Sequence, residues 1–345
     1  MKSIFLASLF LAGQLISLAL PAGVLIQWNP SALQSSNASV VTVASQPLTN
    51  VVAVAVGRAN LALKSDGTVI GLGRNIRGRT TGAETEDASG VVKVDGQVLS
   101  NVIAVSACVF SAALMHDGRV VILGPDDFGH KIGVPSDLTN AVAVNAGEDH
   151  CLVLKEDGTL ISLAAEGVTR FALSNVVAMA TGRSYGLGNG LTSDLALKND
   201  GTLAGLFKGR IEKGSLSKEM TNITAIAMGG AATFLLTKDG RVFGIGINDR
   251  GQATGIKTTN YIASGYVTIN GELLTNVTAI AAGGDMNLAL KQDGTIAAWG
   301  GVGKFGMAGQ PTVPEGLSNV VAIAAGSDCC LAITTNKAIA DKFRH

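Results

Sequence analysis

The chain has 345 residues, 47% of them hydrophobic, enough to bury a large core; its 26 basic and 26 acidic side chains balance, so charge favours neither nucleic acid nor an anionic membrane as partner. Forty-four glycines against 4% aromatics exclude an architecture of long helices and point to short strands of small aliphatics joined by tight turns.

The amino terminus, "MKSIFLASLFLAGQLISLALPAG", places a lysine before an apolar run from Ile4 to Leu20 and small residues at Ala19 and Ala22. That is the layout of an export signal, with residues 1–22 as signal peptide and cleavage near Ala22; an uncleaved anchor is the alternative. Residues 23–345 read as a single domain. Next comes "GVLIQWN" at 23–29, a strand-like fragment standing alone with Trp28. The second tryptophan, Trp299, sits in "GTIAAWG" at 294–300, again five positions after a glycine.

Then a repeat begins: Leu or Met, Ser or Thr, Asn, and a run of small apolar residues. Its copies are "LTNVVAVAVG" (48–57), "LSNVIAVSAC" (99–108), "LTNAVAVNAG" (138–147), "LSNVVAMATG" (173–182), "MTNITAIAMG" (220–229), "LTNVTAIAAG" (274–283) and "LSNVVAIAAG" (317–326). Spacing runs from 35 residues between Asn140 and Asn175 to 54 between Asn222 and Asn276, so insertions fall in loops on a constant scaffold. Six copies continue with a second apolar run ending in Asp-Gly, as in "LALKSDGT" (61–68) and "LALKQDGT" (288–295). Asp-Gly between such runs signals a tight hairpin, because that turn needs positive φ. A third strand follows, and a variable fourth is expected in "VVKVDGQ" (91–97) and "YVTINGE" (266–272).

The first strand does not alternate polar with apolar, which marks burial on both faces. Seven four-stranded antiparallel units read as an all-β, seven-bladed β-propeller. The seventh copy stops at His345 without an Asp-Gly turn, so "GVLIQWN" is its missing third strand and "SVVTVAS" (39–45) its fourth. The N-terminal strands therefore close the last blade.

The pattern "NVVAIAAG…LALKxDGTxxAWG", with glycine-rich links "GRNIRGRTTG" (73–82) and "GINDRGQATG" (246–255), resembles the repeat of the regulator of chromosome condensation family. The resemblance covers essentially the whole chain after the leader and implies a seven-bladed propeller. That family's eukaryotic founder is a nuclear exchange factor for a small GTPase; no motif for exchange carries over here. The layout is also similar to the secreted bacterial β-lactamase-inhibitory propeller built of such repeats, although this chain has few aromatics in its turns.

No nucleophile elbow, HExxH, Walker loop or paired-cysteine zinc motif occurs. No catalytic residue, metal site or cofactor is expected. Cys108 and Cys151 fall at neighbouring turns of successive repeats, where a disulfide is one option and two small buried thiols the other; a ring between Cys329 and Cys330 is a further, more strained option. Between Gly182 and Leu195 the turn after the first strand is twelve residues long, "RSYGLGNGLTSD", against a few elsewhere. Long turns on a rigid scaffold carry recognition. Arg183, Tyr185 and Asn189 from that turn, Asp149 and His150 from the third unit, Asp285 and Met286 from the sixth and Asp328 from the seventh are the candidate partner contacts. The expected role is an exported, monomeric, non-enzymatic binding protein for a protein or surface polymer. The alternatives are a secreted hydrolase or lyase with a site in the central channel, or an inhibitor of a secreted enzyme.

Overall fold

The computed structural model describes residues 9–11, 14–16, 21–29, 38–73, 81, 89–125, 129–182, 194–207, 210–212, 222–301, 311–327 and 329–343. Seven antiparallel sheets, called blades 1 to 7 here, follow one another as the repeats do. Their first strands are Val51–Ala55, Val102–Ala107, Ala141–Ala146, Val176–Thr181, Ile223–Met228, Val277–Ala282 and Val320–Ala325. Each of these packs against the next, and Val320–Ala325 packs against Val51–Ala55, so the series closes into a ring. The protein is a seven-bladed β-propeller.

Second and third strands follow in every blade, for example His150–Lys155 and Leu160–Ala164 in blade 3 and Asp194–Lys198 and Leu203–Phe207 in blade 4. Fourth strands are Gly90–Val91, Gly167–Phe171, Arg210–Glu212, Ile262–Tyr266 and Ser39–Val40; in blades 2 and 6 the described residues give the first three strands. The fourth strand departs from its expected place in three blades: of "SVVTVAS" only Ser39–Val40 lies in it, while Thr42–Val43 pairs with Gln46–Pro47. Of "VVKVDGQ" only Val91 lies in it, and of "YVTINGE" only Tyr266. The rest folds into separate hairpins, Lys93–Val94 with Gln97–Val98 and Thr268–Ile269 with Glu272–Leu273. The reason is local: Asp95 (φ 50°) with Gly96 and Asn270 (φ 53°) with Gly271 make tight turns of their own.

The core lies in the seams between blades. Leu152, Ala178, Ala196 and Leu206, all at 0% exposure, join blade 3 to blade 4, while Leu25, Leu61 and Leu331 join blade 7 to blade 1. Fully burying such a leucine is worth about 1.5–3 kcal/mol, and first and second strands contribute residues to both their faces. Small alanines at every first strand let the blades converge without overfilling the centre.

The repeat's asparagine has a physical cause. Asn50, Asn101, Asn140, Asn175, Asn222, Asn276 and Asn319 all have φ between 53° and 62°, the left-handed region that asparagine tolerates better than most side chains. One residue into the first strand the ladder register shifts in every blade, as between Ala141 and Ala143. The Asp-Gly turns serve the same rim. Val102 N donates to Gly67 O of the preceding blade at 3.0 Å, Ala141 N to Gly118 O at 3.2 Å, and Val277 N to Gly240 O at 3.0 Å. These glycines have φ of 76–79° and sit against the next blade's asparagine. Each turn aspartate bonds inward: Asp157 Oδ1 accepts from Thr159 N at 3.0 Å and Thr159 Oγ1 at 2.6 Å. Asp66, bonded in the same way by Thr68 and then by Lys64, has its pKa lowered to about 2.

Ring closure uses the front fragment. Val24–Trp28 pairs antiparallel with Cys330–Thr334, Trp28 opposite Cys330, in the order first strand, second strand, Val24–Trp28, Ser39–Val40. Trp28 Nε1 donates to Thr312 O at 3.1 Å, and Trp299 Nε1 donates to Gln252 O at 3.1 Å. Each indole thus buries its ring in a seam and spends its one donor on a backbone carbonyl. The link "GINDRGQATG" is organised around Asn248, at 0% exposure, whose Oδ1 accepts from Ala253 N and Thr254 N, both at 3.0 Å. Most of "GRNIRGRTTG" lies outside the described residues. In the leader, Leu9–Leu11 and Gln14–Ile16 form a hairpin beside the first strands, and Leu11 pairs in parallel with Ile226.

Candidate interaction face

Among the described residues, the turns between first and second strands emerge on the face opposite the asparagine rim, and neighbouring turns touch. Arg58 N donates to Cys108 O at 2.6 Å, from blade 1 to blade 2, and Gly230 N to Gly283 O at 2.7 Å, from blade 5 to blade 6. Glycine is required where they meet: an added Cβ at Gly229 would strike the Gly283 carbonyl, one at Gly283 that of Gly326, and one at Gly326 the Val56 side chain. The face is therefore a rigid collar around the axis.

At the blade 3 to blade 4 seam the collar turns polar. His150 opens the second strand of blade 3, and its side chain enters the seam at 8% exposure. Its Nδ1 lies 2.7 Å from Asp149 Oδ1 and its Nε2 2.9 Å from Asp194 Oδ2. The second contact is close but departs from ideal hydrogen-bond angles. Burial by itself lowers the His150 pKa, but hydrogen bonding and charge from Asp149 and Asp194 outweigh it and raise the value from 6.5 to about 10. Beneath the ring, Thr181 Oγ1 donates to Asn145 Oδ1 at 2.6 Å, and Ala146 N donates to Ser106 Oγ at 3.0 Å. Asn145 Nδ2 is buried with no acceptor among the described residues. These polar groups chain blades 2, 3 and 4 together.

Of the sequence candidates, Asp149 and His150 are thus brought together with a group that the sequence reading did not name, Asp194. The signal for Asp194 was present. It occupies the slot filled by Asn60, Ser111, Cys151, Thr233, Asn287 and Cys330, and an acidic residue opening an otherwise apolar buried strand demands a partner. Asp285 stands across the face, its Oδ2 3.4 Å from Arg250 Nη1 of blade 5 and its side chain 48% exposed. Met286 is corrected. At 3% exposure it packs in the blade 6 to blade 7 seam, with Cys330 Sγ 3.6 Å from its Sδ, so it presents nothing to a partner. Arg183, Tyr185, Asn189 and Asp328 lie outside the described residues.

Of the cysteine options the structure has the free thiols, since no disulfide joins the four residues; Cys151 is buried and Cys108 partly exposed. Cys151 is buried inside the second strand of blade 3, and burial pushes its thiol up to about 12. Cys330 packs in the blade 6 to 7 seam, whereas Cys329 packs toward blade 1, 3.5 Å from Asn60 Nδ2. Consecutive strand residues face opposite ways, which separates the two sulfurs.

The regulator of chromosome condensation (RCC1) repeat matches residues 223–252, the first three strands of blade 5 and the start of its asparagine-centred link. Within the seven-bladed propeller, blade 5 thus matches the RCC1 repeat. No curated protein matches the chain's sequence. Among solved structures the chain is similar to Prp20p from Saccharomyces cerevisiae, with a TM-score of 0.65 and 18% identity over 95% of each chain. It is similar to human WBSCR16 at a TM-score of 0.61 and 18% identity, covering 92% of this chain and 100% of that one. The ectodomain of the Physcomitrella patens receptor kinase CR4 aligns at 0.53 and 17% identity, over 79% of this chain and 67% of that one. At these identities the likeness is one of fold.

Proposed function

We propose that this RCC1-repeat propeller is an exported, monomeric and non-enzymatic binding protein that holds a protein or surface polymer on its collar of first turns. One observation carries the reading: the collar is a rigid ring that presents exposed carboxylates, Asp149 with its side chain 53% exposed and Asp285 at 48%, from opposite sides of the axis. A scaffold whose turns are locked by backbone contact loses little entropy on binding. Its most reactive-looking group supports a role without chemistry, because both His150 ring nitrogens are engaged by carboxylates. The structure of yeast Prp20p is described with binding to Gsp1p and histones, and yeast RCC1 is seen bound to Kap60, so propellers of this fold do hold proteins. The sequence offers twelve residues between Gly182 and Leu195 where other blades have a few, a length suited to recognition. Export rests on the leader sequence. Among the described residues no helix is long and apolar enough to cross a membrane.

The test is capture of partners from the native envelope by the full chain, compared with the pair Asp149→Lys and Asp285→Lys and with a chain whose 183–193 turn is shortened. Loss of the captured partner in the charge-reversed pair supports the collar. Undiminished capture by that pair and by the shortened chain removes it.

A further inference from the structure

Thiols aside, His150 and Asp194 are the buried titratable side chains among the described residues, and they face each other across one seam. In the other described blades the slot of His150 holds Ala59, Phe110, Ala232, Met286 and Cys329, and the slot of Asp194 holds neutral residues throughout. At the other described seams the buried polar side chains are neutral, such as Ser106 and Asn287, and the Arg250–Asp285 pair is solvent-exposed; this seam adds buried charge. A buried charge needs a partner, and the ring lies between two carboxylates, one from its own turn and one across the seam.

We infer that His150 is a standing imidazolium latch that ties blade 3 to blade 4, anchored across the seam by Asp194 and capped on the solvent side by Asp149. The groups packed around the ring fit that assignment. Asp149 comes from its own turn and Asp194 from blade 4, Glu148 precedes Asp149, and the remaining neighbours among the described residues, Gly147, Thr181 and the cross-strand Ala164, are uncharged. With a proton on each nitrogen the ring has no lone pair for a base, a nucleophile or a metal ligand. His150 is thus a positioning residue. It fixes the Asp149 carboxylate at the collar and the start of the second strand of blade 4, whether or not a partner binds there.

The test follows the His150 ring by NMR in the full chain with labelled histidine, its signals assigned by their loss in His150→Gln. The expected result is an imidazolium with both N–H groups from about pH 5 to about pH 9, and a midpoint at least about one pH unit lower in Asp194→Asn. Asp149→Asn, at the solvent side, gives a second reading if Asp194→Asn does not fold. Amide exchange over Leu195–Lys198 should quicken about tenfold in His150→Gln, as expected when one seam loosens. A neutral ring at pH 7 in the intact chain, or a midpoint unmoved in both asparagine variants, overturns the latch. Neither result depends on finding a partner, so failure here and failure of the binding role are told apart.

Discussion

Gly23 and Val51 exchange two backbone hydrogen bonds, Gly23 N to Val51 O at 2.9 Å and Val51 N to Gly23 O at 3.1 Å. Blade 7 has no Asp-Gly turn, and Gly23 takes the position that Gly67, Gly118, Gly158, Gly240 and Gly294 hold in other blades, where each carbonyl accepts from the next first strand. An added Cβ at Gly23 would strike the Thr334 carbonyl. Gly23→Ala should therefore cost about 1–3 kcal/mol in urea unfolding, as overpacking does. Gly133→Ala, where an added Cβ meets nothing within 4 Å, is the control and should be near neutral.

The motif asparagine makes a second prediction. Asn140 has φ 59°, so Asn140→Ala should lose about 1–2 kcal/mol and Asn140→Gly distinctly less, since glycine adopts that conformation freely. Equal losses in the two variants would mean that the side chain, and not the backbone conformation, selects the residue.

Stability should fall on the alkaline side. The folded pKa of His150 is raised to about 10 from 6.5, so its contribution is complete below about pH 6.5 and is lost as pH rises through about 10. The slope in that window is at most about 1.4 kcal/mol per pH unit for one proton. Urea midpoints at about pH 6, 8 and 10 should decline more steeply in the wild type than in His150→Gln; parallel curves would remove His150 as the source.

Leader removal should leave the blades intact. The leader hairpin makes one ladder pair with them, Leu11 to Ile226, whereas ring closure begins at Gly23. A chain starting at Gly23 should keep the wild-type melting temperature to within a few degrees, and the proposed export predicts that mass spectrometry of the protein recovered outside the cytoplasm finds its first residue near position 23. Failure of the shortened chain to fold would assign residues 1–22 a structural role.

Thiol chemistry checks the cysteine placement. Alkylation of the native protein near pH 8 should modify Cys108 and Cys329, which are partly exposed, and spare Cys151 and Cys330, whose buried thiols are held protonated. Unfolding without reductant should then release both remaining thiols. A missing pair would reveal a disulfide.

Much of this architecture was legible from the chain because its determinants are local. A left-handed asparagine, an Asp-Gly hairpin and an apolar run buried on both faces each depend on residues within a few positions, and the sevenfold recurrence of the asparagine and its apolar run gives the blade count. The lone Trp28 strand was placed by arithmetic alone: one blade lacked a third strand and one strand lacked a blade. Fourth strands were misplaced because they lie at the outer edge, where packing imposes little and the Asp95-Gly96 and Asn270-Gly271 turns win.

The seams were decided only in three dimensions. Sequence put His150 in a repeated turn slot and Met286 in another, with nothing to show that one would meet Asp194 across a gap and the other would sink against Cys330. Repetition specifies how each blade folds upon itself, because those contacts recur in every copy. Which side chain faces which across a seam depends on two different copies at once, and no single repeat carries that information.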